Sequence, residues 1–148
     1  MKLKLGILAV TLAVTATAAW AQEDVIKLRQ RMMDVNGQAA GVAVGMIKGS
    51  IPFDPVVAAA AAKSIADDNA TFPDLFPVGS DKDEGDTKTK AAPAIWTNNA
   101  DFRAISAKMV KDATAAAAAA GKGQEAFAAA FEAIGQNCGA CHKTFRIK

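Results

Sequence analysis

The sequence is poor in the residues that build most metal sites, with one histidine, two cysteines and no tyrosine among its 148 residues. A single histidine excludes a site made of two or more imidazoles from one chain. Aromatic residues make up only 6% of the chain, whereas 51% of its residues are hydrophobic. Much of that hydrophobic fraction is alanine, which favours helices and is depleted from strands. The composition therefore predicts an all-α fold, and the length suits one domain with a buried core.

The N-terminal 21 residues have the three parts of a secretory signal peptide. Lys2 and Lys4 are basic, residues 5–19 are uncharged and mostly apolar, and Ala19-Trp20-Ala21 has the small–x–small form of a cleavage site. The apolar segment is shorter than the roughly 20 residues of a membrane span. We predict cleavage after Ala21, export to the periplasm, and a mature domain of residues 22–148 without a membrane span.

The formal net charge of +2 comes from this N-terminal segment. Removing Lys2 and Lys4 from the 17 basic residues leaves 15, which equals the number of acidic residues, 15. Nucleic-acid-binding domains usually carry a strong basic excess. The neutral mature chain therefore argues against a nucleic-acid partner.

The first predicted helix runs from about Asp24 to Lys48. Apolar residues recur there at steps of three and four, which predicts one buried stripe on a helix. These residues are Val25, Leu28, Met32, Val35, Ala39, Val42 and Met46. Gly37, Gly41 and Gly45 follow each other at steps of four, and we interpret them as a place where another helix approaches closely.

Three more segments have helical patterns, and no strand or internal repeat is evident. The predicted ranges are Asp54-Pro55 to about Asn69, near Pro93 to Gly121, and about Gln124 to Arg146. The polar residues from Ser80 to Lys90 predict a solvated loop. The alanines in the third segment suit tight helix packing. Four helices with one longer connection favour an antiparallel up-down four-helix bundle.

Residues 138–142 read Cys-Gly-Ala-Cys-His, which is the attachment motif of a c-type haem. Cys138 and Cys141 are three residues apart, so on a helix they lie on one face about one turn apart. Each thiol can add to one vinyl group of a porphyrin. The adjacent His142 can then bind the iron as an axial ligand. The motif predicts one covalently attached haem c near the C-terminus.

Three other uses of this motif explain less. A structural zinc site normally has four Cys or His ligands, and the chain has three such residues in total. A thioredoxin-like dithiol is expected in a βαβ setting, whereas this segment is predicted to be helical. A structural disulfide would suit the periplasm, but it would leave His142 without a role.

Several pieces of the chain resemble, in order, those of one family. They are Leu-Arg-Gln at 28–30 with Met33 after it, Lys-Gly-Ser-Ile-Pro-Phe-Asp at 48–54, Pro-Ala-Ile-Trp at 93–96, and Gln-Asn-Cys-Gly-Ala-Cys-His-Lys-Thr-Phe-Arg at 136–146. On these pieces the mature chain resembles the class II c-type cytochromes, the cytochrome c′ and cytochrome c556 family. The resemblance implies a four-helix bundle around the haem. It also implies a homodimer, because family members often pair through bundle helices.

The second axial position of the iron decides the function. Because His142 is the only histidine, the candidates are Met32, Met33, Met46, Met109, a water or no ligand. The resemblance implies a ligating methionine on the first helix in c556-like members, and a bulky apolar residue shielding an open site in c′-like members. Met33 matches this position. The sequence leaves open whether its side chain binds the iron or only shields it.

The two states of this position correspond to two functions. Methionine–histidine ligation suits electron transfer with redox partner proteins. An open position suits binding of a diatomic gas such as nitric oxide. We favour the electron carrier over the gas-binding protein. A peroxidase-type enzyme is disfavoured, because no second histidine is present for acid–base catalysis.

The resemblance also implies residues that contact the haem edge. Arg29 and Gln30 match propionate or haem-edge contacts, and Lys90 matches a third such position; the alternative for Arg29 is an ordinary surface charge. Arg146, four residues after His142, either tunes that ligand or interacts with the helix dipole. We expect Trp96 and the phenylalanines of the last helix to pack on haem or in the core; these are Phe127, Phe131 and Phe145.

Overall fold

Four long helices form an antiparallel up-down bundle. The structure is a computed structural model that describes the backbone of residues 5–148 and the side chains of residues 24–148. α2 packs mainly on α4 and α1, and α4 packs on α5. Within residues 5–148 the helices are α1 (Leu5–Ile47), α2 (Pro55–Thr71), the short α3 (Ala94–Thr97), α4 (Asn99–Ala120) and α5 (Gln124–Phe145), with a 3-10 helix at Phe72–Leu75. The predicted all-α four-helix bundle is confirmed.

The first helix begins earlier than the predicted start at Asp24. It starts at Leu5 and continues without a break to Ile47. Residues 7–36 contain no glycine or proline, the two residue types that most readily interrupt a helix. The predicted signal peptide, residues 1–21, lies outside the part of the chain whose side chains are described. None of the helices in the described part combines the length and apolar character that crossing a membrane requires.

The end of α1 and the start of α2 agree with the sequence prediction. α1 ends at Ile47, and Gly49 follows with a φ of +72°, a conformation that favours glycine. Oδ1 of Asp54 accepts hydrogen bonds from the N–H groups of Val56 and Val57 at 2.8 and 3.1 Å. Proline in the first turn completes a normal N-cap.

The predicted third helix is wrong as a single element. It divides at Asn98, whose backbone has φ −126° and ψ 49° and separates α3 from α4. The Asn98 side chain donates to Oδ2 of Asp101 at 2.8 Å. Asparagine is a poor helix former, which favours a break at this position. The fourth predicted helix is confirmed, with α5 spanning Gln124–Phe145.

The apolar stripe predicted for α1 is not its buried face. Ile26, Ala43 and Met46 are almost completely buried. By contrast Leu28, Val35 and Val42 are 36%, 45% and 37% exposed. The buried face is displaced by about one residue because it includes polar side chains, chiefly Arg29, which apolar periodicity does not identify. The predicted stripe is therefore wrong at Leu28, Val35 and Val42, which face outward, and right at Met46, which lies in the core.

Alanines fill most of the bundle core, as the sequence indicated. On α2 and α4 the fully buried alanines include Ala58, Ala62, Ala113, Ala116 and Ala120. Small side chains allow helix backbones to approach closely. Phe127 and Phe131 belong to this main core, so their packing is structural.

The close approach expected at the α1 glycines occurs at one position, where it is made by the loop after α1 and not by another helix. A methyl group built on Gly45 would lie 2.6 Å from Cδ1 of Ile51. A methyl group on Gly37 or Gly41 would meet no atom within 4 Å. A close approach of another helix is therefore wrong for Gly37 and Gly41.

A second, aromatic cluster lies at the other end of α5. Phe102 and Phe145 pack with ring centroids 5.2 Å apart, and Phe76 lies 5.0 Å from Phe102. Nε1 of Trp96 donates to the carbonyl of Phe76 at 3.1 Å. Cys141 packs against this cluster. Aromatic packing thus surrounds the end of α5 that carries the cysteines.

Candidate haem-binding site

A cavity of about 500 Å³ lies between the four long helices. Its volume is within the range of pockets that hold small molecules and cofactors. Apolar side chains from every long helix contribute to its walls, among them Ile26, Ala40, Ile65, Phe102 and Phe145. The bundle therefore encloses an apolar space large enough for a prosthetic group.

The three residues of the sequence motif line this cavity together. Cys138, Cys141 and His142 all reach it from α5. Both thiols are free. Burial raises the pKa of Cys138, and burial with the neighbouring Cys138 charge raises the pKa of Cys141 to about 11. Two protonated thiols thus face an apolar space, which is the form that adds to a vinyl group.

The surroundings of His142 favour its uncharged form. Burial lowers the pKa of its imidazole, and the positive charge of Arg146 lowers it further. The neutral form, which carries a lone pair for a metal, is therefore favoured at neutral pH. Arg146 follows the end of α5 in an extended conformation and pairs with Ala91. Arg146 therefore lies close enough to His142 to act on it electrostatically, as the sequence predicted.

Arg29 is 5% exposed, so the alternative of an ordinary surface charge is wrong. Its Nη1 donates to Oγ of Ser80 at 2.9 Å and to the Leu75 carbonyl at 3.3 Å. Its Nη2 donates to the Ser80 carbonyl at 2.9 Å and to Oγ1 of Thr89 at 3.3 Å. The guanidinium also lies 4.4 Å from the ring centroid of Phe76. Arg29 therefore holds the loop between α2 and α3 in place.

The charge of Arg29 is only partly compensated. Burial lowers its pKa to about 10, so it remains a cation at neutral pH. Among the described residues no carboxylate forms an ion pair with it. Buried charges are normally paired. Because Arg29 also lines the cavity, a carboxylate of a bound group would supply the missing anion.

The segment from Ser80 to Lys90 is not the fully solvated loop that was predicted. Ser80 is completely buried beneath Arg29. Nε2 of Gln30 donates to the Lys88 carbonyl at 2.6 Å, and the Ile147 N–H donates to the Lys90 carbonyl at 2.9 Å. Gln30 and Lys90 both line the cavity. The loop is therefore a strap across one end of the site, tied to α1 and to the C-terminus.

The structure separates the methionine candidates. Met33 of α1 and Met109 of α4 line the cavity, whereas Met32 and Met46 are not among its lining residues. Met46 is 1% exposed and belongs to the main core, as does Met109 at 6%. Met33 is the half-buried methionine on α1 that faces the same space as His142.

Sequence reasoning missed several residues at this site. Ser80 and Thr89, which receive the Arg29 hydrogen bonds, sit in a polar run with no distinguishing pattern. Phe76, beneath the guanidinium, is likewise unmarked in the sequence. Asn36 lines the cavity too. The sequence feature that could have pointed to it is the Asn-Gly pair in the middle of a predicted helix.

The residues present fit a covalently bound haem. Two adjacent thiols match two vinyl groups, a neutral imidazole matches the iron, and a buried guanidinium without an anion matches a propionate. The remaining walls are mostly apolar, as a porphyrin face requires. A four-helix bundle carrying a C-x-x-C-H motif at the end of its last helix defines a class II c-type cytochrome.

Comparison with known proteins gives the family. A sequence model described as cytochrome C′ matches residues 24–146. The chain belongs to the cytochrome c′ family, and its cofactor is haem c.

Related proteins include both subgroups of that family. A cytochrome c-556 of Agrobacterium fabrum is 41% identical over 133 residues, which cover 90% of this chain and 87% of the relative. The structure of cytochrome c′ from Rhodopseudomonas palustris is 36% identical with a TM-score of 0.78, covering 84% of this chain and 97% of that one. A further cytochrome c′, described as showing ligand-controlled dimer dissociation, is 29% identical with a TM-score of 0.80, covering 86% and 97%.

Proposed function

We propose that this protein is a periplasmic electron carrier with no substrate of its own. Haem c supplies an iron that alternates between the ferric and ferrous states. In this proposal Cys138 and Cys141 attach the haem, and His142 and Met33 are the two axial ligands. The observation that carries the proposal is that Met33 and the Cys-x-x-Cys-His residues line one cavity from two different helices.

Each residue has a defined task in this proposal. The two thiols fix the group covalently to α5, so it stays bound in both oxidation states. His142 provides a neutral nitrogen, and Met33 provides a neutral thioether, which raises the reduction potential. Arg29 pairs with a propionate, and Gln30 and Lys90 lie at the same end of the cavity. The apolar walls limit access of water and so also influence the potential.

Export is part of the same proposal. The 21-residue N-terminal segment has the arrangement of a signal peptide, which would direct the chain to the periplasm. The partners are then redox proteins of the periplasm.

An equilibrium redox titration tests the carrier function. We expect a single, fully reversible one-electron transition, because one haem is held in a fixed bundle by two protein ligands. The absorption change of the haem measures it in both directions. Hysteresis between the oxidative and reductive directions, or irreversible loss of the ferrous form, would argue against a carrier.

A second candidate function is the binding of a diatomic gas such as nitric oxide. Gly37, four residues after Met33, lines the cavity, and a methyl group there would meet no atom within 4 Å. Open space therefore lies one helical turn beyond Met33. If Met33 shields the iron without ligating it, this space can admit a small molecule.

We further propose that two copies of the chain associate through the outer face of α1. Leu28, Val35 and Val42 are exposed there at steps of seven, with Val25 and Met32 partly exposed on the same face. A twofold interface uses the same patch on both copies, and a repeated apolar stripe is complementary to itself. The related cytochrome c′ with a dissociating dimer supports this assembly.

Val35→Lys is expected to convert the dimer to a monomer, because it places a charge in the centre of the apolar stripe. Sedimentation velocity measures the change in mass. Val78→Lys is the matched control: Val78 is 92% exposed in the loop after α2 and should leave the dimer intact. A wild-type protein that is monomeric at high micromolar concentration would contradict the proposal.

A further inference from the structure

Three asparagines of the described chain line the cavity, and they differ in their hydrogen bonding. Nδ2 of Asn69 donates to the Ile65 carbonyl at 2.8 Å. Nδ2 of Asn137 donates to Oδ2 of Asp112 at 2.7 Å. Asn36 differs from both, because its Nδ2 and Oδ1 are buried and neither has a partner among the described residues.

An unpaired buried amide is costly, at about 1–3 kcal/mol for each unsatisfied group. Unsatisfied groups of this kind in native proteins often have a partner such as a water, an ion or a ligand. Asn36 therefore gives this end of the cavity an unused hydrogen-bond donor and acceptor close to α1.

The position of Asn36 in the helix also breaks local preferences. Asparagine and glycine are both poor helix formers, yet Asn36 and Gly37 are adjacent in the middle of α1. Departures from local preference concentrate at functional sites. Gly37 adds open space at this point, since a methyl group there would touch nothing within 4 Å.

Helix geometry places this pair near Met33, the candidate iron ligand, and away from Arg29, the candidate propionate partner. Asn36 is three residues after Met33, so the two lie on neighbouring positions of one face. It is seven residues after Arg29, which is about 10 Å along the helix axis. A porphyrin has no hydrogen-bonding groups at its edge besides the propionates. A small molecule beside Met33 would supply the missing partner of Asn36.

We propose that the Asn36 carboxamide donates a hydrogen bond to a small ligand on the Met33 side of the iron, in the space left by Gly37, and so determines which ligands bind there. Acceptors such as anions and water are favoured over ligands that accept hydrogen bonds weakly. This inference rests on the proposed haem attachment. In the wild-type protein it applies when a ligand displaces Met33 or when Met33 only shields the iron, and the Met33→Ala background tests it in either case.

The test uses the full-length holoprotein with Met33→Ala, which opens the axial position in either case. Fluoride binding to the ferric iron and carbon monoxide binding to the ferrous iron are titrated by absorption. Adding Asn36→Leu should raise the Kd for fluoride about tenfold, because one hydrogen bond to an anion is lost. The Kd for carbon monoxide should stay nearly unchanged.

One control distinguishes a hydrogen bond made by Asn36 from a role in packing. Another distinguishes failure of this proposal from failure of haem attachment. Asn69→Leu in the same background should leave the ratio of the two affinities unchanged, because the Asn69 amide already has a partner. An unchanged fluoride Kd, or equal weakening of both ligands, would overturn the role of Asn36. Covalent haem is checked first by acid–solvent extraction, so that a missing haem counts against attachment alone. Met33→Leu provides a second background if Met33→Ala folds poorly.

Discussion

Replacing both cysteines, Cys138→Ser with Cys141→Ser, is expected to remove covalent haem almost completely. The two thiols line the cavity beside His142, and a serine hydroxyl does not form the thioether bond. The chain would then hold haem only through non-covalent contacts and iron ligands. Haem staining after denaturing electrophoresis and acid–solvent extraction both measure the covalent fraction.

Ala140→Ser is the matched control for this experiment. Ala140 lies between the two cysteines and is exposed, so a hydroxyl there changes the motif sequence without removing a thiol. We expect it to keep the full covalent haem content. Haem that survives extraction in the double cysteine variant would contradict the assigned attachment residues.

Met33→Ala is expected to convert a low-spin haem into a high-spin haem that binds carbon monoxide. The substitution removes the thioether from the α1 side of the cavity and leaves His142 as the protein ligand. The reduction potential should fall as well, because methionine ligation raises it. Absorption and electron paramagnetic resonance spectra report the spin state.

Met32→Ala is the control for the loss of a methionine from α1. Met32 is also half-buried on α1, but it is not among the residues that line the cavity. Its replacement should leave the spin state and the potential nearly unchanged. A Met33→Ala spectrum identical to that of the wild type would show that Met33 is a shield and not a ligand.

Local signals in the sequence were sufficient for the bundle and for the motif. Asp54 with Pro55 marked the start of α2, and the buried alanines of α2 and α4 account for the close helix packing. Each of these features depends on neighbouring residues or on composition. The Cys-Gly-Ala-Cys-His motif is local in the same way, which is why its residues could be named from the sequence.

The features that were mispredicted depend on distant contacts. The buried face of α1 includes Arg29, whose partners Ser80 and Thr89 lie more than 50 positions away in the chain. Leu28, Val35 and Val42 of the apolar stripe were assigned to the core because periodicity does not distinguish a buried apolar face from an exposed one.

The break at Asn98 shows a similar limit at shorter range. Asparagine occurs both inside helices and at their ends, and the patterns on either side of Asn98 are helical. The sequence therefore predicted a single helix from Pro93 to Gly121, whereas the structure has two, α3 and α4.

The absorption spectrum of the wild-type protein, recorded in the ferric state, in the ferrous state and in the ferrous state with carbon monoxide, tests the central claim most directly. If His142 and Met33 both bind the iron, the haem is low-spin in both oxidation states and carbon monoxide leaves the ferrous spectrum essentially unchanged. A high-spin wild-type spectrum with rapid carbon monoxide binding would contradict the electron-carrier assignment and favour the gas-binding alternative.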